Sequence, residues 1–144
     1  NSGQVPLNTF FHAKNKQIVT ITVEMSATRP MYQGFGFCTP KFNEWNATTW
    51  TQHNPDCMIL FQHGYCPTGS QSVFSSESVT GRWAKDKLSN MWQQGDIMKV
   101  EMNMKEKKGR IWNASEPDKK VVMNLPDECT MLLMMGNQPQ TLTV

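Results

Sequence analysis

Within a short span the chain sets His53, Cys57, His63 and Cys66, four side chains of the types that hold zinc through nitrogen and sulfur. Their spacing, with three, five and two residues between successive candidates, matches no standard finger. Extended alternation from Cys57 also sends Cys57 and His63 to one face and Met58, Leu60 and Gln62 to the other, which is how a strand with a core cysteine reads. The same residues contain a Cys–His pair, but no third orienting group and no oxyanion motif accompany it. Paired catalytic carboxylates, a serine triad, a phosphate loop and a nucleotide fingerprint are all missing from the sequence. The expectation is a domain with no catalytic residue, no metal ligand and no cofactor.

A different chemistry, recognition, is offered by the segment from Lys41 to Asp56, which is polar, aromatic and aperiodic and carries Trp45, Trp50 and His53. Connections this long usually have a task. Tryptophan buries a large area at low entropic cost, which is why it recurs among the residues that dominate interfaces. Trp45, Trp50 and His53 are therefore expected to contact a partner.

The elements that must carry such a loop are strands. Lys16 to Met25 alternates, with Val19, Ile21, Val23 and Met25 on one side and Thr20, Thr22 and Glu24 on the other. Gln33 to Cys38 alternates glycine with Phe35 and Phe37, and Cys57 to His63 is a short buried-type strand, with Gln71 to Phe74 a further candidate. Met98, Val100, Met102 and Met104 alternate with Lys99, Glu101, Asn103 and Lys105. The charged run Lys105 to Lys108 and Gly109, a residue free to take φ > 0, then predict a hairpin into Ile111 and Trp112. Lys120 to Leu125, Thr130 to Met135 and Gln140 to Val144 complete about nine strands, and no segment of ten residues holds a helical stripe. Segment 75–94 is the least legible. An all-β fold follows, a two-sheet antiparallel β-sandwich of the jelly-roll kind. Trp92, Trp112 and the strand methionines are assigned to its core.

Trp92-x-x-Gly95-Asp96-Ile97-x-x-Val100-x-Met102-Asn103, then Gly109-x-Ile111-Trp112-Asn113, Leu125-Pro126 and Leu132-x-Met134-x-Gly136 resembles the C-terminal half of SPRY (B30.2-like) domains. Ile21 to Glu24 and Gly34 to Cys38 are similar to that family's opening strand pair. The pattern departs from the family in three ways: Lys16 and Gln17 stand where an aromatic is common, Asn103 replaces the usual aspartate, and no PRY block precedes. The resemblance implies a non-catalytic module whose loops at one end bind a peptide or protein surface, within a larger protein such as a ubiquitin-ligase adaptor or scaffold subunit. It also implies that the turn near Met135, Gly136 and Asn137 borders the recognition surface, alongside Trp45, Trp50 and His53.

At 144 residues one domain is expected, spanning 1–144 with 1–15 as an N-terminal extension, and the initial Asn1 suggests a piece of a longer protein. Ten of the 14 Lys and Arg fall between Arg82 and Lys120, against six acidic residues, a local excess of four. That is too mild for a nucleic-acid arm. No apolar run approaches a membrane span. Cys38, Cys57, Cys66 and Cys129 form no CxxC pair and read as free thiols of a cytoplasmic, monomeric domain. The even count and the sequons at Asn46 and Asn113 keep a rival in view: a secreted jelly-roll lectin stacking sugars on Trp45 and Trp50. Titration of the thiols under denaturing, non-reducing conditions separates the two.

Overall fold

Period-two alternation of methionine and β-branched residues closes the chain into two antiparallel sheets. A computed structural model describes residues 3–6, 9–25, 34–42, 56–61, 73–74, 92–135 and 142–143. Among the described residues lie ten strands: β1 (Gly3–Pro6), β2 (Phe11–His12), β3 (Ile18–Met25), β4 (Gly34–Cys38), β5 (Cys57–Phe61), β6 (Ile97–Asn103), β7 (Lys108–Asn113), β8 (Lys120–Asn124), β9 (Glu128–Met135) and β10 (Leu142–Thr143). A 3-10 turn, Ala13–Asn15, joins β2 to β3. One sheet runs β1-β9-β4-β5, with β2 also paired to β9; the other runs β10-β3-β6-β7-β8.

The face that each strand turns inward is the one its alternation marks. Val23, Met25, Met98, Val100, Met102, Ile111, Val121 and Met123 from the second sheet meet Phe35, Phe37, Met58, Leu60, Cys129 and Met131 from the first. Trp92 closes the layer edge-on against Phe35, with ring centroids 5.2 Å apart, and Phe74 stacks on Phe37 at 6.5 Å. The first sheet is covered on its other face too, where Cys38, Phe42, Cys57, Ile59 and Leu132 form a second cluster against Phe10. This double burial is why β4 reads as apolar throughout. It also explains Gly36, since a Cβ there would run into the Met58 carbonyl of the neighbouring strand.

Four features depart from the pattern read in the sequence. Residues 3–6 and 11–12, placed within an N-terminal extension, pair with β9; strands of four and two residues are too short to show a period. The β6–β7 hairpin forms, but Lys107, not Gly109, takes the left-handed conformation, at φ 57°. Gly109 is required for space, because a Cβ would sit 2.7 Å from Phe37 Cε2. Trp112 faces outward and is half-buried between Lys99 and Lys120 on the neighbouring strands, with the Lys120 ammonium 4.5 Å from its ring centroid. Ile111, one residue earlier, is the core side chain. Val73 and Phe74 form a bend and not part of a strand.

Candidate functional site

The long β4–β5 connection leaves the first sheet through a closed stem. Thr39 N–H donates to the Asp56 carbonyl at 2.9 Å, and Thr39 Oγ1 donates to Asp56 Oδ1 at 3.0 Å. Lys41 N–H returns to Thr39 Oγ1 at 3.2 Å and Phe42 N–H to the Thr39 carbonyl at 3.1 Å. Phe42, 2% exposed, pins the first leg to the outer cluster. Thr39 and Asp56 are residues that sequence reasoning missed, and a Thr and an Asp flanking an aperiodic segment were the available signal. The connection beyond the stem is thus anchored by two backbone and two side-chain hydrogen bonds and an aromatic plug, whatever its own course.

Trp45, Trp50, His53, Gly136 and Asn137 lie outside the described residues, and Met135 is described only in its backbone, as the last residue of β9 opposite Gly3. The strands that carry these segments nevertheless fix where they leave the sheet. In the β4–β9 pairing Cys38 lies opposite Thr130 and Gly34 opposite Met134. The stem at Thr39 and Asp56 therefore opens at the end of the sheet where β9 begins, and the segment after Met135 departs from the other end, about 20 Å away along the length of β9. The two points of departure, the Thr39–Asp56 stem and Met135, are thus at opposite ends of the sheet, and the course of residues 43–55 and 136–141 between their stems lies outside the described residues.

At that other end a hydrogen-bonded hub holds the turn before β6. Gly95 takes φ 91° at the second central position of the Gln93–Asp96 turn, a conformation that favours glycine. Asp96 Oδ2 accepts from Gln93 N–H and from Asn113 Nδ2, both at 2.9 Å. Asn113 Oδ1 in turn accepts from the Ser115 backbone at 3.0 Å and its hydroxyl at 2.8 Å. Met25 N–H donates to the Asp96 carbonyl at 2.8 Å, which ties in β3. Asn113 is 7% exposed, so the sequon there is occupied by structure.

Other ionisable groups serve surface pairs. Arg110 bridges Glu101 and Glu106 at 2.8 Å each, and its hydrogen bond holds the Glu106 carboxyl below its ordinary range. Lys107 does the same for Asp127 across 2.9 Å. Of the four zinc-type residues, Cys57 lies in β5 with no exposure, facing the outer cluster, while His53, His63 and Cys66 lie outside the described residues. Among the described residues no group of three or more His, Cys, Asp or Glu is gathered as a metal site. Cys38, Cys57 and Cys129 are buried, and desolvation pushes the Cys38 and Cys129 thiols up to about 12.

Two five-stranded antiparallel sheets, packed face to face with loops at either end, define a β-sandwich of the SPRY type. The chain is similar in structure to the SPRY domain of human HERC1, with a TM-score of 0.63 over 99% of this chain and 80% of that one, at 10% sequence identity. No family model and no curated protein matches the sequence.

Proposed function

We propose that the domain is a non-catalytic protein-interaction module that displays loops from a rigid sandwich. The observation that carries the reading is the clamped β4–β5 stem, where Thr39, Asp56 and Phe42 spend hydrogen bonds and a buried ring on anchoring a long connection. A preorganised stem lowers the ordering cost that a binding loop would otherwise meet on association. Trp45 and Trp50 are the anchors, with His53 at their edge, and the ligand is a short peptide or protein surface. Met135, Gly136 and Asn137 make a separate contact from the opposite end. The domain acts as a monomeric unit of a cytoplasmic protein, such as a ubiquitin-ligase adaptor or scaffold subunit, and takes neither nucleic acid nor membrane as partner. Support for the non-catalytic part is that the Lys107–Asp127 and Arg110–Glu106 ion pairs lie at the surface and the Asp96 carboxylate is engaged by its own turn.

Selection of peptides from a random display library on the purified domain, followed by titration of the best binder, tests this. Trp45→Ala or Trp50→Ala should weaken binding by about 2 kcal/mol or more, roughly thirtyfold. Stability should stay within about 0.5 kcal/mol. Asn137→Ala, read in the same titration, reports on the second contact independently. Variants that unfold would make the rings core; variants that fold and bind as before would move the recognition surface elsewhere.

A further inference from the structure

The sulfur atoms of the inter-sheet core carry an inference independent of the protein-binding reading. Cys129, the second residue of β9, directs its thiol at two thioethers across the core, one in β6 and one at the start of the turn after it: Sγ lies 3.6 Å from Met102 Sδ and 3.8 Å from Met104 Sδ. None of the three side chains is more than 1% exposed. Sulfur donors held about 2.3 Å from a d10 ion in tetrahedral or trigonal geometry sit roughly 3.8 to 4.0 Å from one another. The thiol already stands at donor spacing from both thioethers. We propose that Cys129, Met102 and Met104 form a binding site for a soft monovalent cation, Cu(I), held by one thiolate and two thioethers.

Ligand softness selects the ion. Thiolate and thioether sulfur favour Cu(I) over hard cations, and neither thioether carries a proton or a charge. Charge selects it again. The three sulfurs lie among apolar residues of the core, where a bare thiolate is costly, and burial holds the Cys129 thiol up to about 12. One thiolate and one Cu(I) make a neutral unit that such surroundings accept; Zn(II) in the same place would leave an uncompensated positive charge. On binding, the Sγ–H bond breaks, the proton passes to solvent and an Sγ–Cu bond forms, with copper remaining in the +1 state and released from a small-molecule thiol carrier. Met104 begins the turn between β6 and β7, and Cys129 follows the 125–127 connection; the Lys107–Asp127 ion pair joins these two segments. The site thus lies at one end of the sandwich, reachable by local opening of the hairpin.

The test is anaerobic titration of the purified protein with Cu(I) in competition with bicinchoninate. One Cu(I) per chain is expected, accompanied by a rise in melting temperature. Met102→Leu and Met104→Leu keep the volume of the side chain and remove only the sulfur. Each should weaken binding about tenfold or more. Cys129→Ser should abolish it, while Cys57→Ala, whose side chain lies on the other face of the sheet, should not change it. Copper K-edge absorption of the wild-type complex supplies a readout that no variant's folding can confuse, with three sulfur scatterers expected. Wild-type affinity in both leucine variants, binding that follows Cys38, Cys57 or Cys66 and not Cys129, a two-sulfur edge, or no bound copper would each overturn the proposal.

Discussion

Asp96 shows how one side chain converts a sequence motif into geometry. Its carboxylate accepts from the turn it belongs to and from Asn113 at the end of the next strand but one in the chain, so the Gly95-Asp96 and Trp112-Asn113 motifs are two halves of a single hydrogen-bonded joint. The residues were legible in the sequence; the joint was not, because seventeen positions separate its partners. Asp96→Ala removes an acceptor from a buried amide and should cost about 1–3 kcal/mol. Denaturant melts should show a lower midpoint at unchanged slope, and an unchanged midpoint would mean that water replaces the carboxylate without loss. The thiols make a second prediction at this scale. Cys38 and Cys129 keep their protons up to about 12 when folded, whereas unfolded thiols ionise near the ordinary value of 9.0. Their folded pKa is raised, so their contribution to stability is full below pH 9 and is lost as pH rises from there toward 12. Urea midpoints should fall across that window, and Cys129→Ala should fall less steeply. Equal slopes would show that the Cys129 thiol does not carry the effect.

Strands were the most readable elements, and the reason is that period two is stated by every residue of a half-buried sheet. Met98, Val100, Met102 and Met104 are each at most 1% exposed, as their alternation requires. Met102→Ala should therefore cost about 2–5 kcal/mol through lost burial and a residual cavity. Trp112 misled for a physical reason: an aromatic on a strand fits a core as well as it fits an outer face flanked by lysine stems. Because Trp112 lies on the outer face, Trp112→Ala should cost less than Met102→Ala despite removing the larger side chain. The two melts measured side by side check this, and a reversed order would place the indole in the load of the core. β1 and β2 escaped notice because four and two residues carry no period, and Pro6 speaks against a strand unless its pairing is known.

Strand order is a property of the whole molecule that alternation does not encode. The β6–β7 hairpin joins neighbours in sequence and was legible from its turn, but the β4–β9 and β1–β9 pairings join segments about a hundred residues apart or more. That is why the β4–β5 stem and the end of β9 were expected together and stand at opposite ends. The same long-range pairing gives the N-terminal segment a structural role. β1 and β2 both lie along β9, Phe11 packs against the inter-sheet core and Phe10 against the outer cluster, and Thr130 Oγ1 donates to the Thr9 carbonyl at 2.7 Å. Ala13 N–H adds a bond to the Asp127 carbonyl at 2.7 Å. A dispensable extension would come away without consequence. Removing residues 1–15 strips two partly buried phenylalanines and leaves stretches of β9 without their partner, so the truncated domain should lose about 2–4 kcal/mol and melt at a lower temperature. Phe10→Ala and Phe11→Ala in the full chain divide that loss between the outer cluster and the inter-sheet core. A truncated protein that melts with the full chain would show that β9 is held by β4 alone, and both phenylalanine variants would then be silent as well.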